Sequence, residues 1–183
     1  MQVIPTEIPE VKILVPKQFK DHRGFFSEVY STKLLKDVGI TMPFVQDNHS
    51  LSVEKGVLRG LHYQVGPMAQ DKLIRVVRGA ILDVAVDVRR KSPTFGRHVT
   101  AVMSVDNWRQ IFVPVGFAHG FVTLEPNTEV LYKVSAFYSP QHERGVRWND
   151  PALGIDWGIG EAEAVLSARD TQHPLLRDAQ DLF

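Results

Sequence analysis

The 183-residue chain carries 21 Lys and Arg against 21 Asp and Glu, a formal net charge of zero, with 44% hydrophobic residues. A balanced charge supplies no global field to recruit nucleic acid or an anionic membrane surface, so anion recognition has to be local. The absence of cysteine excludes disulfides and thiolate chemistry, and the length suits one domain over 1–183 with a substantial core.

Met1 to Glu7 has no basic or apolar signal segment, and no apolar run approaches the roughly 20 residues of a membrane helix. A soluble, cytoplasmic protein is expected. Arg23-Gly24-Phe25-Phe26-Ser27-Glu28 then sets an arginine and a carboxylate around two aromatics on which a planar ligand could stack. Ser31 to Val38, closed by Gly39, has the spacing of a short helix with a glycine just past its end.

Gln46-Asp47-Asn48-His49-Ser50 runs on to Gly56-Val57-Leu58-Arg59-Gly60-Leu61-His62-Tyr63-Gln64, the densest polar segment of the chain. An arginine can fork onto a phosphate, and a histidine moves protons near neutral pH. Together they suggest an enzyme acting on a phosphorylated small molecule; a β-hairpin with polar edges explains the same residues equally well. Arg59 and His62 are three apart, which on a regular strand puts them on opposite faces. Either Gly60 marks a bulge or the two residues serve different surfaces.

Short β-rich runs follow: Leu73–Val77, Ala80–Val88, Val99–Val105, Gln110–Val113, Gly120–Leu124 and Glu129–Val134, separated by Gly, Pro and Asn turns. In Ala80–Val88, Leu82, Val84, Val86 and Val88 share one face and Asp83 and Asp87 the other, as site carboxylates or exposed strand positions. Lys72 reads as a solvated edge charge, His119 as a satisfied core histidine and Tyr132 as a core tyrosine with a tethered hydroxyl. Glu161 to Ser167 reads as another helical turn or two, and the Asp-, Pro- and Gly-rich stretch from Asn149 as a wrapping segment. So many short, closely spaced strands indicate an all-β sandwich or barrel.

No GxGxxG or GxxxxGK[ST] loop supports a nucleotide cofactor, and no GxSxG elbow supports a serine nucleophile. A metal-binding barrel needs a His-x-His pair with a following glutamate. Gln64 stands two after His62, and His22, His98, His142 and His173 show no ligand spacing. A metal-free site is expected.

The matching residues are Asp21 to Glu28, Gln46 to Ser50, Gly56 to Gln64, Lys72-Leu73, Asp83 to Gly96, Pro114 to Phe121, Tyr132-Lys133 and Trp148 to Pro151. On these motifs the chain closely resembles the dTDP-4-dehydrorhamnose 3,5-epimerase family. The resemblance implies a cupin-type jelly roll, homodimeric, with a dTDP-4-keto-6-deoxy sugar as substrate and no metal or organic cofactor. It makes His62 the general base, Asp170 its orienting carboxylate, Tyr132 the general acid and Lys72 the cation beside the C4 oxygen. Arg23, Glu28, Gln46, Asp47, Asn48, Arg59, His119 and Glu143 fall on substrate-contact positions, with Phe25 a stacking candidate. Arg169 stands where relatives often carry lysine, keeping the charge but not the geometry.

Overall fold

Alternating apolar residues in short runs bury one face each, and two antiparallel sheets packed face to face satisfy them together. The computed structural model describes residues 1–183. The strands are β1 (Gln2–Ile4), β2 (Lys12–Val15), β3 (Gln18–Asp21), β4 (Gly24–Ser27), β5 (Gln46–Ser52), β6 (Leu58–Gln64), β7 (Lys72–Arg78), β8 (Ala80–Asp87), β9 (His98–Ser104), β10 (Gln110–Val113), β11 (Phe117–Thr123), β12 (Thr128–Val134) and β13 (Glu143–Gly145). One sheet has the order β1-β2-β10-β7-β12-β5, the other β13-β6-β11-β8-β9, and β3 pairs only with β4. The cupin-type jelly roll is therefore the observed architecture. No helix is long and apolar enough to cross a membrane.

The core is layered. Between the sheets lie Ile74, Val76, Ile81, Ala85, Met103, Ile111, Phe117, Phe121 and Val130, among others. The outer face of the five-stranded sheet carries Leu58, Leu61, Val84, Val86 and Val122. Trp148, Leu153, Trp157 and Leu176 of the C-terminal segment cover that face, so the expected wrapping is present. The single α-helix, α1 (Thr32–Asp37), packs Leu35 onto Leu14, Leu73 and Phe112 of the other sheet. Ser31 caps it by accepting from the Leu34 amide at 3.4 Å, and Gly39 follows at φ +80°.

Two expectations need correction. Glu161–Ser167 forms only a 3₁₀ turn over Glu161–Glu163, because Val165 gives its backbone to Gly56 and Leu58. Asp83 and Asp87 have the expected parity but are fully buried. Their face of β8 points between the sheets, while the C-terminal segment covers the other, so an alternating strand is buried on both sides. Asp83 meets His119 Nε2 at 2.8 Å, and Asp87 accepts from Arg89, Ser92 and Thr94.

Candidate active site

The site forms where the two sheets face each other. β6 resolves the parity problem: in its pairing with β11, Arg59 lies opposite Phe121 and His62 opposite His119, with the register shifting between them. The bulge is at Gly60, whose φ is +130°. A Cβ there would come within 2.5 Å of Gly120 Cα and 2.9 Å of His119 O, so only a glycine lets the two backbones meet. Arg59 and His62 consequently project to the same side, while Leu58 and Leu61 pack outward.

A cavity of about 360 Å³ opens there. Arg59, His62 and His119 line it from the five-stranded sheet; Gln46, Asn48, Lys72 and Tyr132 line it from the six-stranded sheet. Glu143 and Tyr138 complete the rim. His62 Nε2 lies 2.6 Å from Asp170 Oδ1, and Ser167 donates to Asp170 Oδ2 at 2.6 Å. Burial pushes the Asp170 carboxyl up, but the hydrogen bonds from His62 and Ser167 outweigh it and hold the group below the usual carboxylate range. With the carboxylate on Nε2, Nδ1 is the nitrogen left to accept a proton.

Lys72 is no edge charge. It is 7% exposed, and its ammonium donates to the His62 carbonyl at 3.4 Å. Burial lowers its pKa to about 8, with the charges of Glu143, Asp71 and Asp83 opposing. Tyr132 packs against the inter-sheet core, and burial raises its pKa above the ordinary phenol value, partly offset by Arg59. It is a neutral O–H at physiological pH. His119 is both things at once: buried and satisfied by Asp83, and a cavity wall.

The remaining candidates fall in two groups. Arg169 reaches the rim by pairing with Glu143 at 2.5 Å, and Glu143 also accepts from the Tyr138 hydroxyl at 2.6 Å. Asp47 lies outside the main cavity, because β5 alternates: Gln46 and Asn48 line the cavity while Asp47 pairs outward with Lys133 at 2.8 Å. Arg23, Phe25 and Glu28 also lie away from it, on or just after the exposed β3–β4 hairpin, where Arg23 pairs with Asp21 and Phe25 meets Trp108. Sequence reasoning missed Tyr138. Its available signal was an aromatic pair, Phe137-Tyr138, directly after a strand and left exposed by it. The fold also brings His173, without any ligand spacing in sequence, beside His62 and Asp170.

A jelly roll that sets a carboxylate-backed imidazole on one sheet and a phenol with a buried ammonium on the other has the groups an acid–base enzyme needs, facing each other across one cavity. The comparisons specify which. The sequence profile of dTDP-4-dehydrorhamnose 3,5-epimerase matches residues 5–178. The enzyme of that name from Salmonella typhimurium is 51% identical over 180 residues, covering 98% of this chain and 97% of its own. The epimerase structure from Bacillus anthracis, with TDP and PPi bound, superposes with a TM-score of 0.92 at 50% identity, over 95% of this chain and 98% of that one. The Legionella pneumophila dTDP-6-deoxy-D-glucose-3,5-epimerase, in complex with dTDP-4-keto-L-rhamnose, gives 0.93 at 46% identity, over 98% and 94%. The chain belongs to the dTDP-4-dehydrorhamnose 3,5-epimerase family, and it is an isomerase.

Proposed function

We propose that this protein epimerises dTDP-4-dehydro-6-deoxy-D-glucose at C3 and C5, giving dTDP-4-dehydro-L-rhamnose, by proton transfer among its own side chains. The observation that carries this is the placement of His62–Asp170 and of Tyr132 with Lys72 on opposite sheets around one cavity.

The chemistry asks for that division. A C–H beside the C4 carbonyl is about a dozen pKa units above a histidine, roughly 16 kcal/mol at 1.36 per unit. A base alone leaves most of that uncovered, so the oxygen needs a preorganised positive partner away from water. His62 takes the C3 proton, and the C–H pair becomes the C3–C4 double bond. The carbonyl pair moves to O4, beside the Lys72 ammonium. Tyr132 then delivers its hydroxyl proton to C3 from the other face as the carbonyl re-forms, and solvent restores both groups. The same cycle at C5 completes the second inversion. Asp170 holds the His62 tautomer and balances the imidazolium. Arg59 takes the diphosphate, with Gln46, Asn48, His119, Glu143 and Arg169 as further contacts.

The active form is a homodimer. β3 and β4 pair with nothing else in the chain, and the hairpin leaves Phe19, Phe25 and Phe26 51%, 53% and 66% exposed. Such a patch beside Arg23 and Glu28, residues without a cavity in their own chain, fits a hairpin that serves a second copy's site. A cysteine-free chain suits a cytoplasmic setting.

The deciding experiment incubates the protein with the 4-keto sugar nucleotide in deuterated water and reads each carbon by NMR. Deuterium with inversion at both C3 and C5 is expected. Inversion at one carbon only would reduce the protein to a mono-epimerase, and exchange at neither would refute the proposal.

A further inference from the structure

His173 is not used in the proton transfers above, yet the fold goes out of its way to seat it beside the base. Gly145 lies opposite His62 in the β13–β6 pairing. A Cβ on Gly145 would fall 2.4–2.5 Å from three ring atoms of His173, so the imidazole lies against the bare glycine. The slot across from His62 is thus filled by a second histidine, whose ring meets that of His62 edge-on at 5.2 Å and 76°. Arg147 fixes its backbone, donating its side-chain Nε to the His173 carbonyl and its amide to the Pro174 carbonyl.

His173 Nε2 is buried with no hydrogen-bond partner. It sits 3.8 Å from Asp170 Oδ1, the same oxygen that lies 2.6 Å from His62 Nε2. The three donor atoms lie within 4.8 Å of one another. Ser167 occupies the other carboxylate oxygen and so orients Oδ1 toward both rings. Two imidazole nitrogens and one carboxylate oxygen, backed by a second hydrogen-bonded layer, form a donor set suited to a borderline divalent cation such as zinc. Around zinc at about 2.0–2.1 Å, tetrahedral donors are roughly 3.3 Å apart. The separations from Asp170 Oδ1, 2.6 and 3.8 Å, lie on either side of that value and reach it by shifts of roughly 0.5–0.7 Å, while the two imidazole nitrogens, within 4.8 Å of each other, close by at most about 1.5 Å.

We propose that His62, Asp170 and His173 form a binding site for a zinc-class divalent cation, and that occupancy switches the enzyme off. The inhibition rests on the epimerase reading; the site itself does not. A neutral imidazole carries one proton. In the metal-free enzyme it sits on Nε2 facing Asp170, leaving the Nδ1 lone pair to act as base. A cation on Nε2 moves that proton, through solvent, to Nδ1. The nitrogen that must receive the substrate's proton is then already protonated, and no second lone pair is left.

The test titrates Zn²⁺ into chelator-treated, dialysed protein, following binding by calorimetry and turnover by deuterium exchange. One ion per chain is expected, with turnover lost as the site fills and restored by chelator. His173→Phe fills the same slot without a ligand; it should turn over normally without metal while its zinc affinity falls by about tenfold or more. His173→Asn, which is too short to reach the ion, serves if the phenylalanine variant misfolds. Co²⁺ should give the intense visible absorption of a four-coordinate ion in the wild type and lose it in both variants. Equal zinc affinity in wild type and variants, or no binding at a hundredfold excess, overturns the site. Full turnover at saturating occupancy overturns the switch. Absent turnover in metal-free wild type would sink the epimerase reading while the calorimetry still judged the site.

Discussion

Replacing Lys72 with methionine removes the buried ammonium and keeps most of the side-chain volume. Its pKa of about 8, set by burial, means roughly nine-tenths of the enzyme carries the charge at pH 7 and about one-tenth at pH 9. Above pH 8, kcat/KM should therefore fall about tenfold per pH unit. Lys72→Met should lower the rate at pH 7 by about 10²–10³-fold, the typical loss when one oxyanion partner goes, and should abolish that alkaline limb. Stability should move the other way. The folded pKa lies below the ordinary 10.5, so the unfolded chain holds the proton more tightly. Native stability is thus reduced below pH 8 and recovers between about 8 and 10.5. Methionine escapes that penalty, whose upper bound is on the order of 3 kcal/mol, or several degrees in Tm. Initial rates of deuterium exchange from pH 6 to 10, with thermal melts at pH 7, measure both. A variant that kept the limb near pH 8, or that melted below wild type, would refute the assignment of Lys72 as the charged group.

Tyr132→Phe removes one hydroxyl and little volume, so His62 should still exchange the substrate proton. Reprotonation then returns to the original face, and NMR should show exchange with retention persisting while inversion falls by about 10²–10⁴-fold. His62→Asn should abolish turnover with dTDP affinity intact, whereas Arg59→Ala should raise KM with kcat little changed, as kinetics and calorimetry would show. Phe26→Asp places a charge in the exposed hairpin patch; sedimentation should show a shift to monomer, and KM should rise with it. Asp87 is pushed up by burial but held at about 2 by Arg89, Ser92 and Thr94. Its stabilisation is complete above pH 4 and is lost as pH falls through about 2. Asp87→Asn should cost about 1–3 kcal/mol at pH 7 in urea melts, and less at pH 2.

Part of the site's make-up was legible in the chain because it is local or carried by motifs. The run from Gln46 to His62 supplied the arginine and the histidine that line one cavity, Ser31 and Gly39 bounded the helix, and the parity of β8 was read correctly. Strand periodicity says which residues share a face, but not what covers that face. Lys72 read as exposed, and Asp83 and Asp87 as exposed or as site carboxylates, because a charge on an alternating strand normally meets water. They are buried because the second sheet and the C-terminal segment, far away in sequence, close over both sides of the first. Asp170 stands 108 residues from His62 and comes within hydrogen-bonding distance only through that closure. The bulge that turns Arg59 toward His62 needs Gly60 and Gly120 backbone to backbone, a contact between two strands that neither strand encodes alone. His173 is the clearest case: a histidine in an irregular tail, without ligand spacing, becomes the neighbour of His62 because a glycine on a different strand leaves it room.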